Sequence, residues 1–313
     1  MEERQQDQAN EQPWERNLIG QIALAALEEQ KRARRWNVVF KLLLFIYLFI
    51  LLVIYLFSDL AGAKLSGEKH TALVDIQGVI MSNSPASADT VVAGLRAAFE
   101  DTNTKGVILR INSPGGSPVQ AGYISDEIYR LRMKYPDIRL YAVITDLCAS
   151  GGYYVASAAD SIYADKASLV GSIGAVYEGF GFSGTLEKLG IERRLVAAGE
   201  HKGFLDPFRP LEDDEKAHVQ GLLSRIHQQF INTVKKGRGN KLKRDAELFN
   251  GLVWTGEQSL ELGLIDGFGS SGYIAREIVG EEKIVEFTKR EDYFQRFVRQ
   301  FKTSILWGSN PSP

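Results

Sequence analysis

The sequence predicts an α/β domain, a mostly parallel sheet covered by helices, preceded by one membrane-spanning helix. Three features lead to this reading. From residue 71 onward, strand-like and helix-like runs alternate at the intervals of βαβ units. Two Gly-rich turns, Ser113–Gly116 and Ser150–Gly152, each follow a strand-like run directly. Ahead of all this stands one long, unbroken apolar run.

That run, Val38 to Phe57, is apolar except for Lys41, and about 20 such residues are what a bilayer core requires. Lys41 sits near enough to the end to reach the headgroups. Lys31, Arg32, Arg34 and Arg35 crowd the N-terminal flank, whereas Ser58 and Asp59 open the other. The positive-inside rule then puts the N-terminal segment in the cytoplasm and the chain beyond about residue 60 on the far side. Ala61-Gly62-Ala63 resembles a signal-peptide cleavage site, but the polar head and the apolar run are both longer than a signal peptide's. An uncleaved signal anchor is expected. Asn17–Arg35 has helical character and reads equally as a loose tail, while the Gln- and Glu-rich beginning reads as disordered.

Composition narrows the function. With 44% hydrophobic residues and 24% charged among 313, the chain holds a globular core plus an added segment. A net charge of −2 gives no footing for nucleic acid. Cys148 is the sole cysteine, which excludes an intrachain disulfide and a cysteine-built zinc site. His70, His201, His218 and His227 show no metal-ligand spacing, so neither metal nor cofactor is expected.

In order, Thr71–Ile80 reads as a strand, Ala88–Asp101 as a helix and Lys105–Ile111 as a buried strand. Val119–Tyr135 is helical, Leu140–Ile144 a strand, and a helix follows Ser150. Short strands are expected near Ser161–Tyr163, Ile173–Val176 and Arg194–Ala198. Leu211–Lys236 is a long amphipathic helix, acidic at its start and basic at its end, as the helix dipole favours. Another helix starts at Trp254–Glu257, and Ile265–Gly269 is a turn. In the tail, Phe294, Phe297, Val298, Phe301 and Ile305 share one helical face, to pack on the domain or to meet a partner or membrane surface. In an open parallel sheet the ligand site lies off the carboxyl ends of the strands, so the two Gly-rich turns belong to one edge.

Ser150 stands between a strand and a helix, where free backbone N–H groups favour negative charge on oxygen. It therefore reads as a nucleophile, and equally as an N-cap. Gly151 N–H is positioned by sequence to donate to a developing oxyanion. A serine nucleophile requires a base. His201 and Lys202 share a loop, and a lysine serves if desolvation keeps its amine neutral.

Four motifs, Asn112-Ser-Pro-Gly-Gly116, Ala149-Ser-Gly-Gly-Tyr-Tyr154, Gly171-Ser-Ile-Gly174 and His201-Lys202, together resemble short-form signal peptide peptidase A. This is a membrane-anchored serine protease family of the crotonase/Clp-protease superfamily, built of ββα units. The resemblance implies Ser150 as nucleophile, Lys202 as general base and Ser172 as the hydroxyl orienting the lysine amine. It further implies Gly116 and Gly151 as oxyanion donors, with Gly115 shaping the turn and His201 a bystander. The implied organisation is a cytoplasmic tail (1–36), a transmembrane anchor (37–58), a linker (59–69), a peptidase domain (70–290) and a C-terminal amphipathic helix and tail (291–313). Implied partners are signal peptides, unfolded segments, membrane lipid and further copies of the chain in a ring, at the outer face of a bacterial inner membrane. The serine and lysine of one site come either from one copy or from neighbouring ones. Alternatives are a related membrane Ser–Lys protease cutting a membrane-scaffold protein, a crotonase-like acyl-CoA enzyme and a silent scaffold.

Overall fold

Residues whose side chains are apolar on every face leave the backbone no solvent partner in a bilayer, so they must satisfy it internally as a helix. In the computed structural model, which describes residues 3–63, 67–243 and 247–288, helix α1 runs over Glu3–Ala63. Within it, Gly20–Val53 is long and apolar enough to cross a membrane, and its most apolar window has no buried residue, unlike the core helix of a soluble domain. The polar beginning expected to be disordered is helical from Glu3 onward. Gln, Glu, Arg and Ala are good helix formers, and growing onto an existing helix avoids the cost of nucleation.

Contacts divide the chain into Met1–Gly67 and Glu68–Pro313. The second unit opens with β1 (His70–Gln77), α2 (Ala88–Glu100), β2 (Thr104–Ser113), α3 (Pro118–Lys134) and β3 (Arg139–Ala149). It continues with α4 (Gly151–Ala156), β4 (Ser161–Ala164), β5 (Leu169–Gly171), α5 (Ser183–Lys188) and α6 (Asp213–Arg238). β6 (Val253–Thr255), α7 (Gly256–Glu261), β7 (Gly267–Phe268), a helical segment over 271–279 and β8 (Ile284–Glu286) complete it. Sequence chemistry marks the helix starts. Ser87 and Ser117 accept the N–H groups of Thr90 and Gln120, Pro118 fills the first turn of α3, and Thr255 caps α7.

The sheet has the order β6-β5-β3-β2-β1-β8, with β4 beside β3 and β7 beside β4. Every pairing is parallel except β5 with β6. β3 is long enough for two partners on one edge: its beginning pairs β4 (Tyr141↔Ser161) and its end pairs β5 (Cys148↔Val170). Both sheet faces are covered, as parallel strands require. Val107, Leu109 and Ile111 of β2 join the larger core, while Ile108 packs in a second cluster with Leu73, Val143, Ile274 and Ala275. That split is the period-2 alternation of a strand.

Three expectations are corrected in detail. The strand expected at Ile173–Val176 lies earlier, at Leu169–Gly171, where the end of β3 offers a free edge. Arg194–Ala198 forms no strand: it is exposed, and among the described residues no strand pairs with it to satisfy its backbone. The turn expected at Ile265–Gly269 contains the short strand β7. The amphipathic helix expected over 291–313 lies outside the described residues.

Candidate active site

The end of β3 delivers Ser150. Its backbone adopts φ 51°, ψ −122°, a conformation seldom taken by a residue with a side chain, and its hydroxyl makes no capping bond to α4. The N-cap alternative is thereby removed, in contrast with Ser87 and Ser117, which do cap their helices. α4 has only six residues, so the turn offers local N–H groups rather than a long helix dipole. Ser150 N–H donates to Gly171 O at 2.9 Å, and Ser150 O accepts from Tyr154 N–H at 3.0 Å.

The second Gly-rich turn, after β2, closes against this one. A Cβ on Gly115 would stand 2.6 Å from Gly151 N and 2.7 Å from Ser150 Cβ, and Gly115 has φ +99°. Gly116, at φ +145°, lies so close to Ile80 that a Cβ would come 2.2 Å from its carbonyl oxygen. The bridge to Ile80 uses the Gly115 carbonyl and the Ser117 N–H. Neighbouring groups along an extended chain alternate in direction, so the Gly116 N–H faces the other way, on the side of Gly151.

The third wall comes from the segment after β5. Ser172 also has positive φ, at 53°, and its N–H donates to Leu252 O at 2.7 Å. Together Gly116, Ser150, Gly151 and Ser172 line a cavity of about 430 Å³. Its remaining wall is largely apolar: Leu223, Ile226 and Phe230 of α6 line it with Tyr154, and Gln229 and Asn250 add polar groups. Tyr154 and Phe230 pack ring to ring at 5.2 Å, and Thr233 donates to Tyr154 Oη. Cys148, two residues before Ser150, is fully buried, and burial pushes its thiol well above the usual range, so it offers no competing thiolate.

The comparisons with known proteins fit this geometry. Peptidase family S49 matches residues 133–284. An Enterococcus faecium protein provisionally named signal peptide peptidase SppA is 33% identical over 231 residues, covering 71% of this chain and 67% of that protein. The chain belongs to peptidase family S49. A Synechocystis protein provisionally named a protease is 32% identical to this S49 chain over 208 residues, 66% of this chain and 72% of that one. A Brucella abortus protein named Na(+)/H(+) antiporter NhaA is 40% identical over 220 residues, 69% of this chain. This S49 chain spans 30% of that antiporter-named protein's length.

The structure brings five of the six expected residues of this S49 chain together: Ser150, Ser172, Gly115, Gly116 and Gly151. Lys202 is not among them. It is exposed, in a turn over residues 199–205, and does not line the cavity. No histidine takes its place. His201 is exposed beside it, His218 meets the Phe204 ring edge-on at 5.4 Å, and His70 is buried against Glu68 O and Thr104 Oγ1. His227 binds Ile173 O at 3.1 Å through Nε2. The cavity residues that sequence reading missed include those of α6 and the Asn250-Gly251 turn. The amphipathic pattern of α6 showed that one face is covered, but carries no signal of what covers it.

Proposed function

We propose that this chain is a membrane-anchored serine endopeptidase using a Ser150–Lys202 dyad, with the lysine supplied to each site by a neighbouring copy. The observation that carries the reading is Ser150 itself, its hydroxyl uncapped at a strained turn that closes on Gly115, lining one largely apolar cavity with Gly116 and Gly151. Ser150 Oγ attacks the scissile carbonyl carbon and its proton passes to the neutral Lys202 amine. The oxyanion forms between the Gly116 and Gly151 N–H groups. The protonated lysine gives its proton to the departing amine, and water then hydrolyses the acyl-serine ester. Ser172 orients the lysine amine.

A second copy is supported by the arm that carries Lys202. Over residues 176–211 it leaves apolar side chains in water, with Phe180 83% and Val196 96% exposed, the kind of surface that marks an interaction site. Covering it with another copy would also desolvate Lys202, as a lysine base requires. The apolar cavity wall suits the apolar stretch of a cleaved signal peptide or an unfolded segment, and α1 suits an anchor with its N-terminus in the cytoplasm and the catalytic unit outside.

Hydrolysis of an apolar fluorogenic peptide by the full chain in detergent tests this. Ser150→Ala is expected to abolish turnover, and Lys202→Arg, which keeps the charge but supplies no neutral amine, to lower it at least about a hundredfold. Mixing the two inactive variants is expected to restore part of the activity. Undiminished turnover in Ser150→Ala would sink the reading, and failure to complement would confine the dyad to one copy.

A further inference from the structure

We infer that His227 is a positioning residue for the reaction, acting through the strained Ser172. The inference rests on the Ser–Lys reading above. Positive φ at a non-glycine residue is strained and persists only where the surroundings over-determine it. At Ser172, with φ 53°, the restraints fall on consecutive residues. Gly171 O accepts from Ser150 N–H at 2.9 Å and Ser172 N–H donates to Leu252 O at 2.7 Å. Ile173 O accepts from His227 Nε2–H at 3.1 Å.

The first two bonds join backbone to backbone inside the sheet region. The third comes from a side chain on α6, the helix that also supplies Leu223, Ile226 and Phe230 to the cavity. A carbonyl can only accept, so Nε2 carries a proton in either charge state of the ring. His227 thus ties the segment bearing Ser172 to the apolar wall, and without that tie Ser172 relaxes toward negative φ and turns its hydroxyl away. Gln places its amide nitrogen about where Nε2 lies, whereas Leu fills space without donating.

The test is a double-mutant cycle on the full chain in detergent, with kcat and KM measured separately for peptide hydrolysis. His227→Leu is expected to lower kcat about tenfold with KM nearly unchanged, and to have no further effect in a Ser172→Ala background, because residues acting through one another are non-additive. His227→Gln is expected to return kcat to within about twofold of the starting protein. An equal loss in Gln and Leu variants, a Leu effect undiminished in the Ser172→Ala background, or an unaffected kcat overturns the inference while Ser150→Ala remains inactive. If Ser150→Ala retains turnover, the dyad reading itself has failed and this inference with it. Should His227→Leu not fold, the Gln variant alone decides: kcat within about twofold of the starting protein supports the inference and a loss of about tenfold overturns it.

Discussion

The N–H of Ser150 donates to the carbonyl of Gly171 across 2.9 Å, pinning the elbow at the end of β3 to the strand beside it. This bond holds Ser150 at φ 51° and fixes the hydroxyl relative to Ser172, the next residue along the same strand end. The site is therefore an outgrowth of sheet register: the pairing of Ala149 with Gly171 decides where both serines stand.

Gly115 is where this arrangement has least room. Gly115→Ala would drive a methyl into Gly151 N and Ser150 Cβ, at 2.6 and 2.7 Å, from a backbone at φ +99°. Peptidase turnover is expected to fall at least about a hundredfold, comparable to losing an oxyanion donor. Circular dichroism should show the secondary structure kept; near-normal kcat would show that the two turns can separate freely.

Leu223 of α6 offers a way to narrow the cavity without touching Ser150. Leu223→Trp is expected to raise KM for an apolar peptide about tenfold, a change of about 1.4 kcal/mol. Labelling of Ser150 by a small serine-directed fluorophosphonate should stay unchanged. Equal loss of both would place the tryptophan over the serine itself.

Away from the site, Arg238 joins α6 to the loop before β7. Arg238 is only 3% exposed, and its guanidinium donates to Gly263 O and to both oxygens of Asp266, at 2.7 and 3.1 Å. Burial opposes the charge on Asp266, but Arg238 and Lys241 hold its carboxyl below the usual range. Asp266→Asn leaves a buried guanidinium without its counter-charge and is expected to cost about 3 kcal/mol in denaturant unfolding. A loss within experimental scatter would mean that water compensates Arg238.

Glu127 provides a pH signature. Arg130 is the main cause holding its carboxyl at about 2, against partial burial, with Arg96 of α2 assisting. A depressed carboxylate contributes stability that is fully present above its ordinary value near 4.5 and is lost as pH falls toward 2. Both arginines are about half exposed, so the contribution is under about 1 kcal/mol and weakens with salt. Unfolding midpoints measured from pH 5 down to 2 should decline less steeply for Glu127→Gln, most clearly at low ionic strength. Parallel curves would assign the acid sensitivity to other carboxylates.

What could be read from the sequence followed local chemistry. The Ser150 elbow and both Gly-rich turns depend on residues within a few positions of one another, so their residue types betray them. The alternation of β2 and the apolar run in α1 are equally local. What stayed hidden depends on distant partners. The strand at 169–171 was misplaced because its pairing is set by the far end of β3, some 20 residues earlier. Leu223 and Phe230 have the helical spacing of any covered face, and their meeting with Ser150 is decided by the return of the chain after a long excursion. His227 resembles any histidine in a charged helix until Ile173 O is seen opposite it.

Lys202 stands in water outside the cavity of its own chain. On the proposed dyad, a solitary newly made molecule is unarmed, holding a hydroxyl that nothing deprotonates. Cutting would then begin only where crowding in the bilayer brings molecules side by side, and dilution would disarm them again, so abundance itself becomes the safety catch.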